Sequence, residues 1–257
     1  MILRPLEPVS SSGGDFFPAW DVVMRTQKQR SESCWMITQP SHAALAGDIA
    51  SRLSGPQVPQ LEPELVRAIA LHDAGWGMPD AQAVMRSRAA GGRPQSFIEA
   101  SVAEFTAAWT QSIQVAQSTS PAGGYAVSRH FWRIGKHRLD TADDVANDRS
   151  LLQRFLNTEE QRQKKLEGRQ QRSVEELENL TDVLQLCDLL SLYICCGAQD
   201  NVEFPEYLGV KARLIVESDG FRFSPAVIES GAQFAVAALR HPATKEMSGE
   251  QLEIRFL

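Results

Sequence analysis

The chain has few cysteines, few tyrosines and no excess of positive charge. Its 257 residues include four cysteines, three tyrosines and five histidines. Cys34, Cys187, Cys195 and Cys196 show no CxxC spacing, and two of them are adjacent. That arrangement excludes a disulfide scaffold and a thiolate zinc site. It fits reduced thiols packed as small hydrophobes, and the expected location is the cytoplasm. Lys and Arg number 26 against 32 Asp and Glu, a net charge of -6. So acidic a chain argues against bulk nucleic-acid binding, which needs a basic face to displace counterions. No signal-peptide run opens the sequence and no segment is expected to cross a bilayer, so no membrane partner is expected. No internal repeat is visible. Hydrophobic residues at 43% and charged residues at 23% match a soluble domain with a sizeable core.

What is present reads mostly as helix. Residues 1–30 are expected to form an irregular arm with a flexible Ser/Gly patch at 10–14. Residues 31–257 are expected to form a single helical domain. Cys34 to Thr38 reads as a short strand or extended lead-in. Pro40 and a Ser41 N-cap then open a helix carrying Leu45, Ile49 and Leu53 on one face. A second helix starts at Glu62-Pro63-Glu64 and is broken by Gly75, Gly77 and Pro79. Further helices are expected over 96–117 and 125–139. A charged helical insertion spans about 147–179, and the most apolar helix covers 176–197. Beyond it the texture changes. Segments 212–216 and 221–223 flank Glu217-Ser218-Asp219-Gly220, a hairpin signal. Residues 231–240 read as a short helix and 252–256 as a strand. The expected fold class is mainly α, a helical bundle with a small β appendage at about 210–257.

Chemistry concentrates in a few polar residues set among apolar ones. Leu71-His72-Asp73-Ala74-Gly75-Trp76 puts His and Asp side by side at the end of an apolar helix. Adjacent helical residues point about 100° apart, so the two cannot easily satisfy each other, but both can turn toward one cation. The alternative is an ordinary helix end. His42 lies in the first turn of its helix, where the dipole favours the neutral, metal-binding imidazole. Alone it reads equally as a half-buried core histidine. Asp188 sits among Leu184, Leu186, Leu189, Leu190 and Leu192 with no Lys or Arg within a helical turn. A lone carboxylate there needs a cation or histidine from elsewhere, unless Gln185, Ser191 and Thr181 mark a narrow polar stripe. His130, Arg133 and His137 share a face with Ile134, and Arg129, Lys136 and Arg138 thicken the basic cluster. Arginine forks suit phosphate oxygens, although such a cluster also simply solvates a helix. His130 and His137 are about 10.5 Å apart along the axis, awkward for one shared ion. His241, beside Pro242, reads as surface.

Taken in order, His42, His72-Asp73, His130 and Asp188 resemble the HD superfamily of metal-dependent hydrolases, whose signature is H…HD…D. The strings from Trp35 to Gly47 and from Leu71 to Trp76, with Val127-Ser128-Arg129-His130, are similar to one bacterial branch catalogued as a domain of unknown function. The resemblance implies an HD-like helical core in which His42, His72, Asp73 and Asp188 bind metal. His130 matches an added ligand of two-metal members; His137 would complete that set, although such added histidines are usually farther apart than seven residues. The implied cofactor is one or two divalent transition ions, Mn, Fe, Co, Ni or Zn. The implied activity is a phosphohydrolase or phosphodiesterase acting on a small phosphorylated molecule or nucleotide. In it Asp73 and His130 are catalytic, and Arg129, Arg133 and His137 contact phosphate. Two alternatives stand beside it: a di-iron oxygenase on the same fold, and a non-catalytic metal- or nucleotide-binding regulatory module. The sequence leaves the substrate and the oligomeric state open.

Overall fold

A capped apolar helix forms the axis of the structure. The computed structural model describes residues 1–7, 15–29, 31–90, 92–242 and 249–257; the expected patch at 10–14 lies outside them. The central helix, α8 (Val174–Cys196), opens on a reciprocal cap: the Ser173 side chain accepts the Glu176 N–H while the Glu176 carboxylate accepts the Ser173 N–H. It ends where Gly197 turns left-handed at φ 70°. In between it is buried almost all round. By length and composition α8 is apolar enough to span a bilayer, contrary to the expectation that no segment is, but here it is wrapped by protein.

The remaining helices are α1 (Ala19–Lys28), α2 (Gln39–Ala50), α3 (Pro63–Ala70), α4 (Gly77–Ala90), α5 (Val102–Thr119), α6 (Pro121–Thr141) and α7 (Ala146–Glu167). Helices α1, α2 and α6 pack directly on α8, and α7 packs across α6. The strands are β1 (Ile2–Pro5), β2 (Phe17–Pro18), β3 (Cys34–Ile37), β4 (Val202–Tyr207), β5 (Val210–Glu217), β6 (Gly220–Ser224), β7 (Gln233–His241) and β8 (Gly249–Arg255). They form two four-stranded sheets. One runs β1-β3-β7-β8, antiparallel throughout; the other runs β2-β4-β5-β6, with β2 parallel to β4.

This architecture corrects the expected mainly-α bundle with a β appendage: the fold mixes helices with two full sheets. The expected irregular arm contains β1, β2 and α1, and β1 pairs with β3 from Ile2↔Ile37 to Pro5↔Cys34. The expected short helix at 231–240 is strand β7. Its alanines favour helix, but Phe234, Val236 and Ala238 are buried in alternation, and β8 pairs along its length. The helix opened at Pro63 does end before Gly75, as expected, but a further helix that was not expected, α4, starts at Gly77, because Pro79 falls in its first turn, where its missing N–H costs nothing. The N-cap of α2 is Thr38 rather than Ser41.

Two glycines let the site-bearing elements approach closely. A Cβ on Gly47 of α2 would lie 2.5 Å from the Ala70 Cβ at the end of α3. A Cβ on Gly75 would lie 2.0 Å from the Ala108 carbonyl oxygen of α5, where backbone rather than a flexible side chain blocks it. Gly75→Ala is therefore expected to destabilise the fold by about 1–3 kcal/mol or more, through overpacking. A lowered unfolding midpoint in thermal or urea melts checks this; a midpoint equal to wild type refutes the close contact.

Candidate metal centre

Five side chains from four parts of the chain meet in one enclosure. His42 is set by the start of α2, where the Thr38 hydroxyl accepts the Ser41 N–H at 3.1 Å and buried Asp80 accepts the Gln39 N–H at 2.6 Å. His72 and Asp73 lie in the turn after α3. The following 3-10 turn, Ala74–Trp76, is anchored by the Gly75 N–H on Ser112 Oγ of α5 at 3.0 Å. His130 comes from the middle of α6 and Asp188 from the middle of α8. All five are buried: His42 and His72 at 0% exposure, His130 at 2%, Asp73 at 5% and Asp188 at 8%. Cavities of about 810, 560 and 500 Å³ elsewhere are lined by none of them.

Hydrogen bonding on the far sides of the rings fixes how they face. Ser191 Oγ donates to the Asp188 carbonyl at 2.9 Å, so it is free to accept the His42 Nδ1–H, also at 2.9 Å. His42 Nε2 then faces Asp73 Oδ2 at 2.9 Å. The Ile69 carbonyl can only accept, so His72 Nδ1, 2.8 Å away, is its donor, and His72 Nε2 faces Asp188 Oδ1 at 3.1 Å. In a neutral imidazole each Nε2 would carry a lone pair aimed at a carboxylate oxygen. That arrangement is repulsive unless a proton or a cation lies between them. His130 Nε2 stands 3.8 Å from Asp188 Oδ2, and its buried Nδ1 makes no hydrogen bond among the described residues. The rings succeed one another edge to face, with centroids 5.1 Å (His42 to His72) and 5.6 Å (His72 to His130) apart.

The donor atoms suit a cation. They form two overlapping trios, His42-His72-Asp73 and His72-His130-Asp188, with atoms in each trio within 4.8 Å of one another. Ligands bound at about 2.0–2.2 Å lie roughly 2.8–3.1 Å apart at octahedral angles and about 3.3–3.6 Å apart at tetrahedral ones. The observed 2.9 and 3.1 Å fall within these values, and the 3.8 Å separations lie just beyond them. Neither carboxylate is paired with Lys or Arg among the described residues, so two buried negative charges face imidazoles alone. Buried His/Asp clusters able to hold a metal are thus present in this fold.

Other sequence candidates lie around or outside the centre. Arg133, one turn from His130, donates to Asp182 Oδ1 at 2.7 Å, to Glu178 Oε2 at 2.6 Å and to Gln185. Arg129 stands 2.9 Å from Glu178 and stacks over Trp132. Both arginines are therefore matched by carboxylates of α8. His137 is exposed on α6 and does not join the cluster. His241, expected at the surface, is buried on β7 with Nδ1 3.2 Å from Ser87 Oγ. Sequence reasoning missed Ser191 as the partner of His42. Its spacing, three residues beyond Asp188 on the same helix face, was the available signal.

A family model described as "Protein of unknown function (DUF3891)" matches residues 24–229, which include all five site residues. No curated protein and no solved structure matches the chain significantly.

The electrostatics predict how chelator-treated protein responds to pH. Burial disfavours charge on His72, but the Asp73 charge and the Asp188 hydrogen bond outweigh it and raise its pKa from 6.5 to about 9. Burial lowers His130 to about 4. The stabilisation from protonated His72 is full below about pH 6.5 and is lost as pH rises through 9. His130, held neutral, acts oppositely and costs stability as pH falls from 6.5 through 4. Unfolding midpoints of the treated protein are expected to peak near pH 6.5 and to fall on the alkaline side. A flat alkaline limb refutes a protonated His72.

Proposed function

The chain belongs to the DUF3891 family, and we propose that it is a metal-dependent phosphohydrolase or phosphodiesterase whose ligand set is that of the HD superfamily. One observation carries the reading. His42 and His72 are locked by Ser191 and the Ile69 carbonyl so that both Nε2 atoms point at the carboxylates of Asp73 and Asp188. Metal-ligating histidines are oriented in this way by their other ring nitrogen. A divalent ion also cancels the two buried carboxylate charges, which three neutral imidazoles alone do not. The proposal concerns the site, since the fold is the α/β mixture described above.

A divalent transition ion here would supply Lewis acidity, polarising a phosphoryl oxygen and acidifying water. His42, His72, Asp73 and Asp188 would hold it. Mixed imidazole and carboxylate donors suit Mn, Fe, Co, Ni or Zn. Asp73 uses Oδ2 toward His42 and leaves Oδ1 without a hydrogen bond among the described residues, so it is placed to orient a water and take its proton. His130, held neutral by burial, suits a further ligand or a proton acceptor rather than a general acid. Arg133 and Arg129 stand ready at the neighbouring helix turns for a small phosphorylated molecule or nucleotide, although each already faces carboxylates of α8.

The second trio, His72-His130-Asp188, also supports a two-ion reading, including the di-iron oxygenase chemistry that such a site permits. Metal analysis separates the two: two irons per chain with oxygen consumption favour the oxygenase, whereas a single non-redox ion favours the hydrolase. A metal-loaded protein that turns over nothing favours the regulatory module. For the hydrolase, purified protein is expected to carry a divalent ion and to cleave phosphate esters in a broad screen. His72→Ala should lose the ion and about a hundredfold or more of turnover. Ser191→Ala, acting through His42, should weaken metal affinity about 10- to 100-fold. A metal-free wild type, with the His72→Ala variant indistinguishable from it in turnover, ends the proposal.

A further inference from the structure

We infer that Tyr207 is a substrate-binding residue of this centre and that Asp182 is the residue that positions it, an inference resting on the function proposed above. Tyr207 ends β4, and the two-residue turn Leu208-Gly209 leads into β5, with Tyr207 paired to Val210. Both turn residues have positive φ, 54° at Leu208 and 71° at Gly209. Glycine takes such a conformation freely; a leucine holds it against steric cost when its surroundings impose it. The hold is visible. Asp182 Oδ2 accepts the Leu208 N–H at 3.2 Å, while its Oδ1 accepts from Arg133 at 2.7 Å. One carboxylate thus ties the hairpin tip to α6 and α8. Asp182, Gln185 and Asp188 follow at three-residue steps along α8, and Arg133 lies one turn from His130. Of the five centre side chains, Asp188 is the least enclosed, and the tip is fastened about two helical turns from it along α8.

Tyr207 is also the one phenol with hydrogen-bonding capacity to spare. Tyr125 donates to Glu178 and Tyr193 to the Asp200 carbonyl, whereas the Tyr207 hydroxyl makes no hydrogen bond among the described residues. It lies close enough to Asp188, Asp182 and Arg133 for their charges to act on it. Burial foremost, then the two carboxylates, push its pKa up, so it remains a neutral donor. Arg129 and Arg133 are already balanced by Glu178 and Asp182. An incoming tetrahedral oxyanion of the phosphate class therefore finds in Tyr207 a donor that breaks no existing ion pair.

The test compares Mn²⁺-loaded wild type, Tyr207→Phe, Asp182→Asn and Asp182→Glu. Inorganic phosphate binding is read by calorimetry, alongside ester turnover, metal content and melting midpoint. Tyr207→Phe is expected to keep its metal and its midpoint but to lose about ten- to a hundredfold in phosphate affinity and in kcat/KM. Asp182→Asn has one carbonyl oxygen and cannot serve Arg133 and Leu208 together. It should lose affinity in the same direction at unchanged metal content, and Asp182→Glu should recover part of it. Tyr207→Phe equal to wild type in affinity and turnover overturns the role of Tyr207. A lowered midpoint with wild-type affinity in Asp182→Asn overturns positioning by Asp182. Tyr207-dependent phosphate binding without ester cleavage by wild type removes the hydrolase reading and leaves this one. A wild type that binds no phosphate removes both.

Discussion

Two carboxylates buried against three imidazoles are the constraint around which this fold is arranged. Asp73 and Asp188 face histidines rather than Lys or Arg among the described residues, and each of His42 and His72 is turned toward them by a bond on its opposite edge. Such a cluster is costly to bury unless positive charge enters it, as a proton on His72 or as an ion. The surrounding packing serves to keep it together. Gly47 and Gly75 remove the side chains that would hold α2, α3 and α5 apart, and the caps at Thr38 and Ser173 set where α2 and α8 begin.

The centre and its approach are built on different principles. Inside, donors are few, dry and rigidly oriented. Outside, Arg129, Arg133, Glu178, Asp182 and Gln185 form a charge-balanced lattice between α6 and α8, partly open to water. Opposite charges in such a lattice orient one another while adding little net field. On the proposed function, discrimination at the approach would depend on the placement of hydrogen-bond donors more than on net charge.

The site was far more legible in the sequence than the fold. A carboxylate among five leucines, as at Asp188, signals a partner from elsewhere because desolvation leaves few alternatives. The His72-Asp73 dipeptide signals the same at a helix end. Ser191 could be flagged by its spacing from Asp188, but its orienting role depends on His42, 149 residues away, which the local sequence does not reveal. Strand β3, the β5–β6 hairpin and β8 were legible as local strand signals, but their assembly into two sheets was not. Strand β1 is four residues long, too short for periodicity to speak, and is defined by its distant partner β3. Strand β7 carries alanines whose local preference is helical, and pairing with β3 and β8 overrides it. Helix α4 was hidden by a proline that is harmless in a first turn.

The order in which the ligands occur along the chain has a consequence for assembly. Asp188 meets His72 across 116 residues, and Ser191 meets His42 across 149. Closing spans of that length costs chain entropy before any contact rewards it. An ion therefore has no prepared seat on a nascent chain until α8 has been synthesised and has docked on α2 and α6. On the proposed function the apolar interior would organise first and an inorganic partner would come last, as the stitch that seals a nearly finished protein.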